Sequence, residues 1–307
     1  SDLLGWFKFD EATGSTATNY GAEGSAATLM SGAVFSTLEK KFGASSLSTP
    51  GQDSRVRLSS TIGLGSTSGS DPYSLSTWFK GLSTYSENTE GWRSLTQGGG
   101  PHQVLLKSSS DELGSYNGGW TGSGHTLSPS ASASAWQHIV ATFDGTRTKF
   151  YIDGSYVGQL TASSGGTIEY IGNDTGGNRF ADYLDDFRVY GVTLSASDIT
   201  TIYGLGNGDI FPVTAGSSYA TATPTLLETG GANVTVSVFY GTSDKGKTTT
   251  GWDFNTSLSG AQSVGQLTVA MNGLSASTNY VFRIAATNSK GTAWSDAYSV
   301  LTNSQAQ

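Results

Sequence analysis

The sequence predicts an all-β chain of two sandwich domains, on three observations. Apolar residues alternate with polar ones over short runs. Asp-Gly pairs break those runs where hairpin turns would fall. Gly is abundant at 42 residues, while charged residues make up only 13%. Alternation at period two buries one face of a strand, and Asp-Gly supplies the left-handed φ values that tight turns between twisted strands need. A chain of 307 residues is long for one sandwich and sufficient for two, each with its own core.

The clearest stretch runs from Trp136 to Tyr190. Trp136-Gln137-His138-Ile139-Val140-Ala141-Thr142-Phe143 reads as a strand, closed by Asp144-Gly145. Lys149-Phe150-Tyr151-Ile152 follows, turns at Asp153-Gly154 and returns through Ser155-Tyr156-Val157-Gly158. Tyr183-Leu184-Asp185-Asp186-Phe187-Arg188-Val189-Tyr190 is the last strand of the set. A short helix is predicted after it, because Ile199, Ile202 and Tyr203 recur at helical spacing behind Ser195 as N-cap and Asp198 three residues on. The glycine-rich run 204–208 reads as the end of that helix and a linker. It follows a helix and lacks the Lys-Ser/Thr of a phosphate loop. The Ser/Gly-rich joints 63–70 and 128–135 read as loops.

The W-x-H strand, the Y-I-D-G hairpin and the D-D-x-R-x-Y strand together resemble the laminin G-like, concanavalin A-like lectin family. The resemblance extends back through Leu75 to Lys80 and Gly5 to Glu11. It implies a jelly-roll sandwich over residues 1–207. The remainder, 208–307, predicts strands at Asn233 to Tyr240, Gly265 to Val269 and Asn279 to Ala286. Leu274 and Tyr280, with Asn288, Gly291 and Trp294, resemble a fibronectin type III domain, an immunoglobulin-like sandwich. In that family the Leu and Tyr of this spacing form a tyrosine corner. The resemblance implies a spacer without chemistry of its own.

Composition narrows the partners. A net charge of −8 with 16 basic residues offers no clustered cation for nucleic acid or anionic lipid. No apolar run approaches the roughly 20 residues that span a bilayer. The absence of Cys removes disulfides, thiolate metal sites and cysteine nucleophiles. A cysteine-free, acidic, Ser/Thr/Gly-rich chain that opens at Ser1 without a leader is expected to be a monomeric piece of a larger secreted or cell-surface protein.

No enzyme is expected. Retaining glycosidases of this fold resemble one another in an E-x-D-x-(x)-E strand that sets two carboxyl groups about 5 Å apart. Nothing here matches, and neighbouring acids such as Asp185 and Asp186 point to opposite strand faces. His138 belongs to the W-x-H strand and reads as structural. The function expected is non-catalytic binding of a polysaccharide, with a protein-binding adhesion module and an atypical hydrolase or lyase as alternatives.

Sugars are held by aromatic faces and a few fixed polar groups. Two glycine-rich stretches supply both: Trp92, Arg93, His102 and Gln103 in the first, and Tyr116, Asn117, Trp120 and His125 in the second. Trp92 is open to two readings, buried or displayed, whereas Trp120 between glycines reads as displayed. Trp6, Trp78 and Trp136 are expected in the interior. Arg179, with Arg93 and Lys107, would suit sulfate or carboxylate groups on an anionic chain.

A structural calcium ion is the one cofactor expected. Asp10, Asn19, Asp182, Asp185 and Asp186 are its candidate ligands, with Asp174 and Asn178 as further oxygen donors. The competing reading makes Asp144 and Asp153 turn formers, and has Asp185 and Asp186 bond loop backbone.

Overall fold

The computed structural model describes residues 3–23, 25–65, 71–161, 164–205, 213–226, 229, 231–263, 265–295 and 297–305. Two compact units divide the chain, Ser1–Tyr203 and Gly204–Gln307.

The first unit faces two antiparallel layers across one core. The first layer is an eight-stranded sheet with a central path Ser155–Leu160, Thr148–Ile152, Gln137–Phe143, Tyr73–Leu82, Ala181–Tyr190, Ser46–Ser48 and Val34–Ser36. The strand Leu3–Phe7 also pairs with Ala181–Tyr190. The hairpins form where the sequence places them. Asp153 and Gly154 take φ of 49° and 77°, and Gly145 takes 92°.

A five-stranded sheet and a four-stranded sheet make the opposing layer. The five-stranded one runs Thr16–Ala17, Ala27–Met30, Arg55–Gly63, Thr167–Ile171 and Thr96–Gln97. The four-stranded one runs Trp120–Thr126, Glu112–Tyr116, His102–Leu106 and Arg93–Ser94. Leu95 N donates to Val104 O, so the chain passes from one sheet into the other without a break. Between the layers lie Phe7, Leu47, Val56, Leu58, Phe79, Leu106, Leu113, Phe143, Phe150, Ile171, Phe180 and Phe187, all buried. Side chains at alternate positions of the same strands point outwards, as the pleat requires.

Helix Ala196–Leu205 is capped as the sequence predicts: Asp198 N donates to Ser195 Oγ, and Ser195 N donates back to Asp198. Ile199 and Ile202 are buried beneath it. The helix runs through Gly204, which the sequence assigned to a linker. The rest of that linker, 206–208, lies outside the described residues, as do 66–70 of the joint expected at 63–70. The joint at 128–135 is not wholly loop, since Pro129–Ser132 makes a helical turn. Trp6 and Trp78 are buried, but Trp136 is only half-buried, its ring 6.4 Å from that of Tyr183.

The second unit is also all-β. Val213–Ala215, Tyr219–Ala222 and Val269–Asn272 form one sheet. Phe254–Ser257, Thr235–Gly241, Asn279–Asn288, Gly291–Trp294 and Tyr298–Leu301 form another. The strand expected from Gly265 to Val269 is divided: Gly265–Gln266 pairs with Thr225–Leu226, whereas Val269 opens the strand that pairs with Tyr219–Ala222. Val236, Val238, Met271, Tyr280 and Phe282 fill this core. The Tyr280 hydroxyl accepts the Ser275 amide at 3.0 Å, which ties the turn at Leu274 to its strand.

Candidate aromatic cleft

The two glycine-rich stretches meet on the outward face of the four-stranded sheet. Tyr116 lies opposite Trp120 in one hairpin and opposite His102 in the next, so the three side chains share a face. Trp92 enters from the preceding loop, its ring centre 5.5 Å from that of Trp120. The ring centres of His102 and Tyr116 are 6.0 Å apart, edge to face. A cleft of about 300 Å³ opens here, walled by Glu90, Trp92, His102, Leu105, Tyr116, Asp174 and Asn178.

A missing side chain helps to shape it. Gly114 lies opposite Leu105 on one side and Gly122 on the other. A Cβ on Gly114 would stand 2.7 Å from the Trp120 ring and would also collide with the Thr121 carbonyl. The indole can lie across the sheet only because that position is glycine.

The loop 173–178 supplies the polar wall. Asn173 Nδ2 donates to Gln52 O and Ser54 O, anchoring the loop. Asp174 is 5% exposed and Asn178 2%. Asp174 Oδ1 accepts the Gly176 amide at 2.7 Å, and Asp174 Oδ2 accepts Asn178 Nδ2 at 3.0 Å. Asn178 Oδ1 finds no donor among the described residues. A buried acceptor without a donor is unfavourable, and a hydroxyl from a ligand would relieve it.

His102 has a defined orientation. Ser94 Oγ donates to Thr96 O at 3.1 Å and lies 2.8 Å from His102 Nδ1. A hydroxyl has one proton, so the imidazole donates from Nδ1 and keeps its Nε2 lone pair. Burial holds the His102 pKa below its ordinary value, with the Asp174 charge opposing. The ring is therefore neutral near pH 7. Ser94 is fully buried and has given its proton to a carbonyl, so it is not placed as a nucleophile.

Three expected ligand contacts are corrected. Arg93 is fully buried: it donates to Gly91 O at 3.1 Å and to Lys107 O at 3.3 Å, and pairs with Asp111. Gln103, also fully buried, donates to Ser164 O at 2.8 Å. Arg179 is 6% exposed and bonds Thr49 O at 2.8 Å, with Asp182 and Glu87 as its acidic partners. A single sequence does not reveal that Lys107 O, Ser164 O and Thr49 O, 14, 61 and 130 residues away, meet these side chains. Asn117 is exposed at the tip of the hairpin, and half-buried His125 lies further along the strand from Trp120; neither walls the cleft. Glu90, Leu105, Asp174 and Asn178 were not foreseen as ligand contacts. For Asp174 and Asn178 the only signal was their oxygen chemistry.

The five candidate calcium ligands do not fit a shared cation. Asp10 accepts Ala44 N, and Asn19 accepts Trp6 N and Gly21 N, all at 2.8 Å. Asp182 pairs with Arg179. Asp185 Oδ2 accepts Lys41 N at 2.8 Å and Phe42 N at 3.0 Å. Asp186 accepts Trp6 Nε1 at 2.6 Å and pairs with Arg188 at 2.8 Å. Among the described residues no three acidic, His or Cys side chains gather as metal ligands would. The backbone-bonding alternative describes Asp185.

No curated protein matches the chain. Domain 4 of AbnA, an extracellular arabinanase of Geobacillus stearothermophilus solved with arabinotriose, is 18% identical. That match covers 65% of this chain and 97% of the domain, with a TM-score of 0.49. A Trypanosoma rangeli sialidase solved with the inhibitor DANA is 15% identical at a TM-score of 0.44. It covers 66% of this chain, which spans about a third of the sialidase, 32%. The binding domain of Paraclostridial Mosquitocidal Protein 1 is 13% identical at a TM-score of 0.39, over 76% of this chain and 60% of that one. Residues 50–200, within the first unit's sandwich, match a laminin G-type family model, that of the concanavalin A-like lectin/glucanases superfamily.

Proposed function

We propose that the first unit binds a polysaccharide outside the cell and does not cut it. Sugar rings lie against Trp92, Trp120 and Tyr116, while Asp174, Asn178 and His102 accept their hydroxyl protons. The observation that carries this reading is the union, in one cleft, of accessible ring faces with acceptors held in place by the protein. Sugars present C–H faces and O–H edges, and this combination meets both. The second unit would serve as a fibronectin type III-like spacer in a larger secreted or surface protein, in keeping with its Tyr280–Ser275 bond.

One observation favours a hydrolase. Glu90 and Asp174 are two carboxyl groups on the same cleft, the minimum that glycoside cleavage needs. Against it, the Asp174 oxygens are taken by Gly176 and Asn178, which suits a fixed acceptor better than a group that must move a proton.

Electrophoresis through gels carrying soluble polysaccharides tests the binding reading. The chain should be retarded by at least one polymer, and Trp120→Ala should weaken that affinity about tenfold without changing the melt. No retardation, with capture of a protein ligand instead, would establish the adhesion alternative. Release of reducing ends by the wild type, abolished by Asp174→Asn and Glu90→Gln, would establish the hydrolase.

A further inference from the structure

The cleft stands at one end of a longer row. Trp120, Tyr116 and His102 are opposed across three strands. The turn that follows Gln97 is closed by Gly98 N donating to Pro101 O at 3.0 Å, below the Leu95–Val104 bond, which sets Gln97 beside His102. Gln97 pairs in register with Tyr170, and Tyr170 with Arg57. None of these six residues is buried, while Val56, Ile171, Val104 and Leu113 from the same strands fill the core behind them. Residues opposed in register share a face, so six strands contribute one continuous solvent-facing row. Neighbouring strands lie about 4.8 Å apart, which puts Tyr170 roughly 19 Å from Trp120, four strands along.

The far end has its own chemistry. The guanidinium carbons of Arg55 and Arg57 lie 5.4 and 6.0 Å from the centre of the Tyr170 ring. Arg55 donates to Asp53 O through Nη1, and Arg57 Nη2 lies 3.4 Å from Glu169 Oε1. Midway, Gln97 Oε1 accepts the Thr175 amide at 3.0 Å, leaving the Gln97 amide NH2 to donate. The row thus passes from an acceptor-rich cleft to a donor-rich platform, with a ring system at each end.

We infer that Tyr170 and Arg57 form a second sugar platform, and that the row from Trp120 to Arg57 is a track for an extended chain, with about one sugar on each strand. The molecule then grips the interior of a linear polysaccharide, not a chain end. This inference rests on the carbohydrate-binding reading of the cleft.

Gel electrophoresis with arabinan, galactan, xylan, mannan and mixed-linkage glucan identifies a retained polymer, and titration calorimetry with its two- to six-unit oligosaccharides follows. Affinity should rise with each unit up to about six, one for each strand of the row. Tyr170→Ala should weaken polymer binding about tenfold and leave the two-unit fragment unaffected, while Trp120→Ala weakens both. Arg57→Ala, at an exposed position, should repeat the Tyr170→Ala pattern with the wild-type melting temperature. An affinity that stops rising after two units, or polymer binding untouched by both distal variants, would overturn the track while the cleft stands. Retention by no polymer in the panel would remove the cleft's reading and the track together.

Discussion

Two histidines in this chain have nearly the same first neighbour and opposite circumstances. His138 Nε2 lies 2.8 Å from Ser76 Oγ, and His102 Nδ1 lies 2.8 Å from Ser94 Oγ. Each also stands beside aromatic rings on the outward face of its sheet. His138 packs at 5.0 Å from Trp78 and 6.0 Å from Tyr203, and it is 1% exposed. Burial, with Arg188 and Lys41 adding, pushes its pKa down to about 3. His102 keeps a free edge on the cleft and feels the Asp174 carboxylate. The difference lies in what covers them. Tyr203 of helix Ala196–Leu205 stacks on Trp78 at 5.4 Å and Lys41 and Phe42 pack on the same indole, whereas the rings of Trp92 and Tyr116 border open volume, with Trp120 against Trp92. An aromatic cluster outside the core becomes structure when the chain roofs it, and a site when the chain leaves it open.

The largest test breaks the roofed cluster at its charge. Asp186 and Arg188 are each 1% exposed, and Asp186 also holds the Trp6 indole N–H. Asp186→Ala leaves a cation in the interior without its carboxylate and an indole donor without its acceptor. Urea unfolding should show a loss of about 3–5 kcal/mol. A loss under about 1 kcal/mol would mean that water reaches Arg188.

The second test sets the two histidines against each other. His138→Ala removes a buried, packed ring and strands Ser76, so it should cost about 2–4 kcal/mol of stability. His102→Ala should change stability by less than about 0.5 kcal/mol, because only part of its surface is packed. It should instead weaken retention on whichever polymer the wild type binds. Equal stability losses would show that the cleft is as closed as the roofed cluster, and the comparison would fail.

Much of the scaffold and part of the site are legible in the sequence, for physical reasons that particular residues show. The strands Gln137–Phe143 and Thr148–Ile152 are local facts, written in alternation and ended by residues that tolerate positive φ, such as Asp153 and Gly154. Trp92, His102, Tyr116 and Trp120 stand out because rings within glycine-rich stretches have little to pack on. Their common face is not local, since it depends on the Tyr116–His102 register. Asp174 and Asn178 reach the cleft through a loop tied to Gln52 and Ser54, more than a hundred residues earlier. Arg93 and Arg179 illustrate the opposite error. Arginine reads as exposed unless its acceptors are known, and theirs include Lys107 O and Thr49 O, which nothing near them in the chain announces.

The smallest effect concerns Asp185, beside the roofed cluster and without counterpart at the cleft. It is 1% exposed; its Oδ2 holds the Lys41 and Phe42 amides, and its Oδ1 has no donor among the described residues. Burial pushes its pKa up to about 8; the two amides oppose this, and Asp186 and Asp10 reinforce it. In the unfolded chain the same carboxyl titrates at about 3.9. Between those values the folded protein holds a proton that the unfolded chain has released, so stability falls as pH rises through the window and levels off above pH 8. Asp185→Asn carries no charge in either state and keeps an oxygen for the two amides. Its stability relative to the wild type should therefore rise from pH 5 to pH 8.5, by on the order of 2 kcal/mol in urea unfolding at each pH. A difference that stays flat across that range would mean that Asp185 ionises in the fold, and that the loop at Lys41 and Phe42 shelters it less than the roofed cluster beside it.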